Sequence, residues 1–453
     1  MAVDISLEQA ALDNLWMHNS GWIELAEDGG PRFMVKGDGL RVTDSNDVEW
    51  IDPNGGYASV NVGYGRTEIA DAAREQMLAL PFAPQGTITE ALALVSEKIA
   101  AIAPGSLDRC YPASGGSEAT ETAIKIARAY HKRNGEQGRY KIISRRNSYH
   151  GATGGVQFAG GNADRSDYEP SYPGMLHVPQ PNSWNCELGG QSSSECAVLC
   201  AQAVEDLILL HGPETIAAFI GEPISGTAST AVPGVEYWPM VREICDRYGV
   251  LLITDEIVCG YGRTGKWFAI ENFNIVPDIM ATAKGIVSSY FPFAATVARK
   301  EIADAFAGEG NEFHHMLSFS GHPVGAAAAL KNIEIIETEN LVENARSMGE
   351  YFREQLRDLA GDHRFIDQVR GLGLMNSVRF TGNSEVYEPV PEQWGLKSKL
   401  AEEFRARRLA FTPVTDQYMN MAPPLCTTTE DIDEIIEIFD QSFASVGKEL
   451  GIA

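Results

Sequence analysis

Three stretches of the chain carry residue types that could do chemistry. In GVLLITDEIVCGYGRTG (249–265) an apolar run ends on two adjacent carboxylates, Asp255 and Glu256. In ATAKGI, Lys284 closes a second apolar run and is followed by glycine. Burial disfavours the charged form of such a lysine, so its pKa falls and the free amine becomes a nucleophile. In YPASGGSEATETAIKIARAYH (111–131), Gly115 and Gly116 permit close backbone approach and Ser117 offers a hydroxyl. The helix that starts there adds free N–H groups and the positive end of its dipole, which together make a phosphate cradle. Each feature alone has an ordinary reading: solvated loop carboxylates, a lysine snorkelling from a strand end, a capped helix.

The elements that must position these groups follow from periodicity. Five short apolar runs read as strands: 140–146, 216–223, 250–256, 278–285 and 293–300. Helical faces such as Val204, Leu207, Ile208 and Val241, Ile244, Cys245 lie between some of them, an alternation that predicts βαβ units around a mostly parallel sheet. Ligands of open α/β sheets bind beyond the carboxyl ends of the strands. Tyr149 with His150, Glu222, Asp255 with Glu256, and Lys284 all fall at that edge. From about residue 330 a long helical stretch, AAAALKNIEIIETENL, opens a second, α+β region, which the loop-rich first sixty residues are expected to join.

A phosphate cradle, a strand-end Asp and a partly buried Lys together specify one cofactor chemistry. Pyridoxal phosphate needs a lysine for its aldehyde, a carboxylate to keep its ring nitrogen protonated, and a phosphate anchor. GYGRTGK (260–266) imitates part of a nucleotide-binding loop, but Trp267 stands where a magnesium-binding Ser or Thr belongs, so it reads as a structural turn. No G-x-G-x-x-G opens a helix after a strand, which leaves a dinucleotide fold unsupported.

Composition narrows the classes further. Of 453 residues 44% are hydrophobic and 22% charged, as expected of a globular chain of two to four domains at roughly 100–200 residues each. The 62 acidic against 36 basic residues give a formal charge of −26, which argues against nucleic acid and anionic membranes as partners. Seven scattered cysteines without a C-x-x-C indicate neither a disulfide framework nor a metal site and suit a reducing cytoplasm. No signal peptide is read at the start, and no apolar stretch approaches the ~20 residues of a membrane span.

These motifs resemble the class III, or ω-, aminotransferases of the pyridoxal-phosphate-dependent fold-type I family, over nearly the whole chain. LLITDEIVCGYGRTGKWFAIENFNIVPDIMATAKG is similar to that family's signature, with Asp255 and Lys284 separated by 29 positions (284 − 255). The resemblance implies an α/β fold with a large cofactor-binding domain over 61–320. A smaller domain would be built from 1–60 and 321–453. It implies ping-pong transamination through a Lys284 Schiff base, with Asp255 on the ring nitrogen. Gly115, Gly116 and Ser117 would hold the phosphate, and Tyr149 and Ile257 would pack on the two ring faces. His150 and Glu222 would complete the site. Ser318, in SFSGHP, would reach the phosphate across a homodimer interface, in a dimer or a dimer of dimers. An aminomutase, racemase or decarboxylase on the same cofactor shares these residues.

The substrate pocket departs from part of the family. Where relatives that handle glutamate or other α-amino acids often carry an arginine, and some pair it with a glutamate, this chain has Thr412 and Thr227. Arginine is the natural bidentate partner of a carboxylate, so the pattern points to an amine or ω-amino acid donor rather than an α-amino acid with 2-oxoglutarate. Ala58 stands where amine-specific relatives often carry tryptophan, which predicts a wider pocket that takes bulky amines. The resemblance implies pyruvate as the acceptor, with 2-oxoglutarate second and an α-amino acid/2-oxoglutarate aminotransferase as the alternative reading. Arg146 and Arg32 are the candidate partners for the acceptor's carboxylate.

Overall fold

The computed structural model describes residues 5–18, 21, 23, 30–84, 86–383, 385–410 and 414–452. Strands β1 (Met34–Asp38), β2 (Arg41–Asp44) and β3 (Glu49–Ile51) form a small antiparallel sheet. The chain then builds a seven-stranded sheet from β4 (Leu107–Ala113), β5 (Lys141–Arg145), β6 (Met175–Val178), β7 (Ile216–Gly221), β8 (Leu251–Asp255), β9 (Ile279–Thr282) and β10 (Ala294–Arg299), in the spatial order β4-β10-β9-β8-β7-β5-β6. A third, antiparallel sheet consists of β11 (Ile366–Leu372), β12 (Met375–Phe380) and β13 (Tyr418–Met421).

The central strands are continuous apolar runs because helices cover both faces of the sheet. Ile142, Ala218, Ile220, Ile253 and Ile279 pack with Ala123, Ile126 and Ala127 of the helix Gly116–Arg133. Their neighbours Ile143, Phe219, Leu252 and Met280 point the other way, into the cluster that contains Val204, Ile208, Val241 and Ile244. Each such side chain contributes about 1.5–3 kcal/mol through burial, enough to fix which residue of each strand faces which layer.

All five strands expected from the sequence form, but β10 runs antiparallel to both β9 and β4. The link between β9 and β10, residues 283–293, is shorter than the dozen or more residues that a parallel crossover needs. Two strands of this seven-stranded sheet were not expected. β4 carries Asp108, Arg109 and Pro112, a composition tolerated because it is an edge strand. β6, at the opposite edge, is short and mostly half-buried. Residues near the start of the chain join its end: Ile51 bridges Leu409, Arg41 pairs with Glu434 at 2.6 Å, and the Asn61 carbonyl accepts from the Leu425 N–H at 2.7 Å.

Candidate active site

A cavity of about 420 Å³ opens at the carboxyl ends of β5, β7, β8 and β9, within the roughly 300–1,000 Å³ typical of small-molecule sites. The phosphate-cradle glycines, Tyr149, His150, Glu222, Asp255, Ile257 and Lys284 all line it. Its remaining wall includes Val287, Ser289, Phe291 and Pro292, which no periodicity had singled out, and Phe293, the first residue of a run read as a strand.

The two adjacent carboxylates separate because successive strand residues face opposite sides. Asp255 points into the cavity, where its Oδ2 lies 2.8 Å from His150 Nδ1 and its Oδ1 accepts from the Ile257 N–H at 3.1 Å. A carboxylate only accepts, so Nδ1 carries the proton of that bond. The other ring nitrogen, Nε2, is buried without a partner among the described residues.

Glu256 is fully buried away from the cavity, and the reading that placed it at the ligand edge is corrected. Its two oxygens accept from the N–H groups of Ala269 (2.9 Å) and Ile270 (2.8 Å), at the start of the short helix Ala269–Phe273. Burial pushes this carboxyl up to about 8. Glu256→Ala leaves both donors unpaired, at about 1–3 kcal/mol each. Chemical denaturation should show that loss, with substrate affinity in the folded enzyme unchanged.

Lys284 follows β9 at φ +47°, a left-handed conformation that costs a non-glycine residue roughly 1–2 kcal/mol. Its Nζ donates to the Tyr57 carbonyl at 2.9 Å. Burial lowers its pKa to about 8, with Asp255 opposing the shift. A free amine is present above that value and lost below it. The cofactor-free protein should therefore condense with an aldehyde at a rate that rises with pH and levels off above about 8. A flat profile between pH 6 and 9, followed by absorbance, would overturn this.

The cradle opens the helix Gly116–Arg133. A Cβ on Gly115 would meet nothing within 4 Å, whereas one on Gly116 would lie 3.0 Å from Ile257 Cδ1, so the helix start and Ile257 sit against each other. Ser117 Oγ accepts from the Ala152 N–H at 3.1 Å, tying the cradle to the Tyr149–His150 turn. Tyr149 leaves its ring about half exposed in the cavity and donates its N–H to Glu222 at 3.3 Å.

Sequence reasoning missed Arg145. It is fully buried and donates to the carboxylate (2.7 Å) and carbonyl (2.5 Å) of Glu222. Burial favours the neutral form of Glu222, but its electrostatic interactions with His150 and Arg145, together with the Arg145 hydrogen bond, outweigh burial and hold the carboxyl below its ordinary range. The signal was present in SRRNSYH: Arg145 is the last residue of β5, and Arg146 points the other way, to an ion pair with Glu187 at the surface.

The remaining candidates divide. Thr227 lines the cavity and donates its hydroxyl to the Asn147 carbonyl at 3.0 Å. Ala58 is buried at φ +53° and is not part of the cavity wall, while the preceding Tyr57 is exposed. Ser318 lies on the surface, also outside the wall. Arg32 stacks over Trp50 at 3.7 Å, and neither it nor Arg146 lines the cavity. Thr412 lies outside the described residues. GYGRTGK is a turn, with Gly262 and Gly265 at positive φ and Arg263 buried against Asn61 at 2.9 Å.

The Aminotransferase class-III family profile matches residues 25–443. The chain belongs to the class III aminotransferases. It is 36% identical over 425 residues to the putrescine–pyruvate aminotransferase of Pseudomonas aeruginosa, covering 92% of each chain. Identity to the taurine–pyruvate aminotransferase of Bilophila wadsworthia is also 36%, over 440 residues that cover 93% of this chain and 94% of that one. The ω-transaminase of Pseudomonas jessenii, solved in complex with PMP, superposes with a TM-score of 0.93 at 31% identity and covers 99% of both chains. The aminotransferase thus has the fold-type I architecture and is pyridoxal-phosphate-dependent. Its residues fit that group: an open glycine cradle at a helix start, a buried carboxylate braced by histidine, and an amine of lowered pKa share one cavity.

Proposed function

We propose that this aminotransferase moves the amino group of an amine or ω-amino acid to pyruvate in two half-reactions at one site. The observation that carries this reading is the cavity wall. Among its described residues Lys284 is the only lysine or arginine, so no bidentate clamp for an α-carboxylate is found there. The relatives named for putrescine and taurine as donors and pyruvate as acceptor support the same reading.

When bound, pyridoxal phosphate supplies an aldehyde for the lysine and a ring that takes up an electron pair from the substrate carbon. Lys284, as the free amine, would take a proton from that carbon as base and, as acid, would deliver it to the cofactor rather than back to the same carbon, which is what separates transamination from racemisation. Asp255, fixed by His150 and the Ile257 N–H, would keep the ring nitrogen protonated. Gly115, Gly116 and Ser117 would hold the phosphate and Tyr149 and Ile257 would pack against the ring, all of them lining the cavity, while Glu222 accepts from the Tyr149 N–H. Thr227 borders the donor. Ala58 and Thr412 are read as further substrate-pocket residues. Ser318, exposed on one chain, is read as reaching the partner's phosphate, in a homodimer or a dimer of dimers.

Residues 61–320 form the cofactor-binding domain on this reading, with 1–60 and 321–453 in the smaller one. The cytoplasm is the proposed compartment, supported by seven cysteines that are all free thiols. Among the described residues no helix is long and apolar enough to cross a membrane.

The visible spectrum of the holoenzyme tests the proposal. A simple amine should bleach the cofactor band and pyruvate should restore it. If only α-amino acids bleach the band and only 2-oxoglutarate restores it, the amine-donor reading is wrong. Release of the donor's keto product separates a transaminase from a mutase, racemase or decarboxylase.

A further inference from the structure

Cys186, Cys196 and Cys200 show no metal-binding motif in the sequence, yet folding brings their three sulfurs within 4.8 Å of one another. Two local features produce this. Ser192 caps the helix Ser193–His211, its hydroxyl accepting from the Glu195 N–H at 3.1 Å, and positions 196 and 200 share one buried face of that helix. The preceding loop then folds back, with Gly189 at φ +77° and Gly190 pressed on the helix. A Cβ on Gly190 would lie 2.7 Å from the Cys196 nitrogen and 3.2 Å from Cys186 Sγ.

We propose that Cys186, Cys196 and Cys200 form a metal site for one thiophilic divalent cation of the zinc class. Zinc–sulfur bonds of about 2.3 Å place tetrahedral sulfur ligands roughly 3.8 Å apart, so the triangle closes with shifts of about 1 Å or less. The sulfurs are mutual neighbours, whereas a disulfide would use two and leave the third unpaired. Three thiols release three protons to solvent as three metal–sulfur bonds form, and no electron is transferred. The fourth position takes a water or a nearby oxygen.

Cys196 lies in the first turn of its helix, where the dipole favours thiolate. Gln180 adds a polar group to the same corner: its carbonyl accepts from Cys200 Sγ at 3.5 Å, and both side-chain polar atoms are buried without a partner among the described residues. Cys186 is only half-buried, which leaves an entry path. The metal would pin the loop that carries Asn182 and Trp184, on which Arg370 rests.

Native mass spectrometry of the reduced holoenzyme with one equivalent of zinc tests this without reference to the reaction catalysed. One zinc should be retained per chain. Cys186→Ser, on the half-buried loop, should weaken retention by more than the roughly 10–100-fold that loss of an outer-shell partner costs, and Cys196→Ser should do the same. Equal zinc uptake by the wild type and Cys186→Ser would overturn the proposal. So would a disulfide between two of the three cysteines, seen as a loss of two hydrogens, in protein purified without reductant.

Discussion

Replacing Lys284 by alanine is expected to lower the transamination rate by about 10⁴-fold or more while leaving the protein folded. On the proposed reading the lysine supplies both the nucleophile and the proton shuttle, and no other lysine or arginine lines the cavity among the described residues. Its removal costs little stability. Alanine meets the same φ of +47°, and the change relieves the desolvation that lowers the amine's pKa to about 8. Lys284→Arg should be equally inactive, because a guanidinium keeps its proton at every working pH. Initial rates with an amine and pyruvate, measured beside thermal melts, check both variants. A retained rate above a few per cent in Lys284→Ala, or an unfolded protein, would count against the assigned role.

The legible part of this fold was the part written in one dimension. β7, β8 and β9 are unbroken apolar runs, so their existence and the polar residues at their ends could be read directly. Glu256 needed one more step: the two-residue period of a strand sends it away from Asp255, to the N–H groups of Ala269 and Ile270. The same rule sends Arg145 inward and Arg146 outward. The direction of β10 depended on the length of the chain before it, and β4 was hidden by Pro112 at an edge where proline is harmless. The cysteine cluster could not be read at all, because its third member arrives from a loop whose path is set by tertiary packing. The pocket residues were harder than the cofactor residues for a related reason. Ala58 lies on a kinked segment and Ser318 on the surface, where strand or helix period says nothing about what a side chain faces.

Arg145→Met is expected to destabilise the protein by about 3–5 kcal/mol, the usual result of removing one partner of a buried ion pair. Arg145 is fully buried, and Glu222 is nearly so. Methionine keeps the aliphatic contact beside Trp238, whose ring lies 5.6 Å from the guanidinium carbon, but strands the Glu222 charge next to the catalytic cavity. The double variant Arg145→Met/Glu222→Gln should recover much of the loss, because it removes the stranded charge as well. The pH dependence separates charge from packing. In the wild type the Glu222 carboxyl is held below its ordinary value of 4.5, so its contribution is present above that value and fades as pH falls through the lower folded pKa. The stability gap between wild type and Arg145→Met should therefore narrow as pH falls, because the stranded, buried Glu222 of the variant takes up its proton at a higher pH than the wild-type carboxyl does, in urea unfolding followed by tryptophan fluorescence. A gap that stays constant with pH would mean that Arg145 acts by filling space against Tyr237 and Trp238. Tyr149 would then owe its position to the backbone turn alone, although its N–H bonds to Glu222 at 3.3 Å.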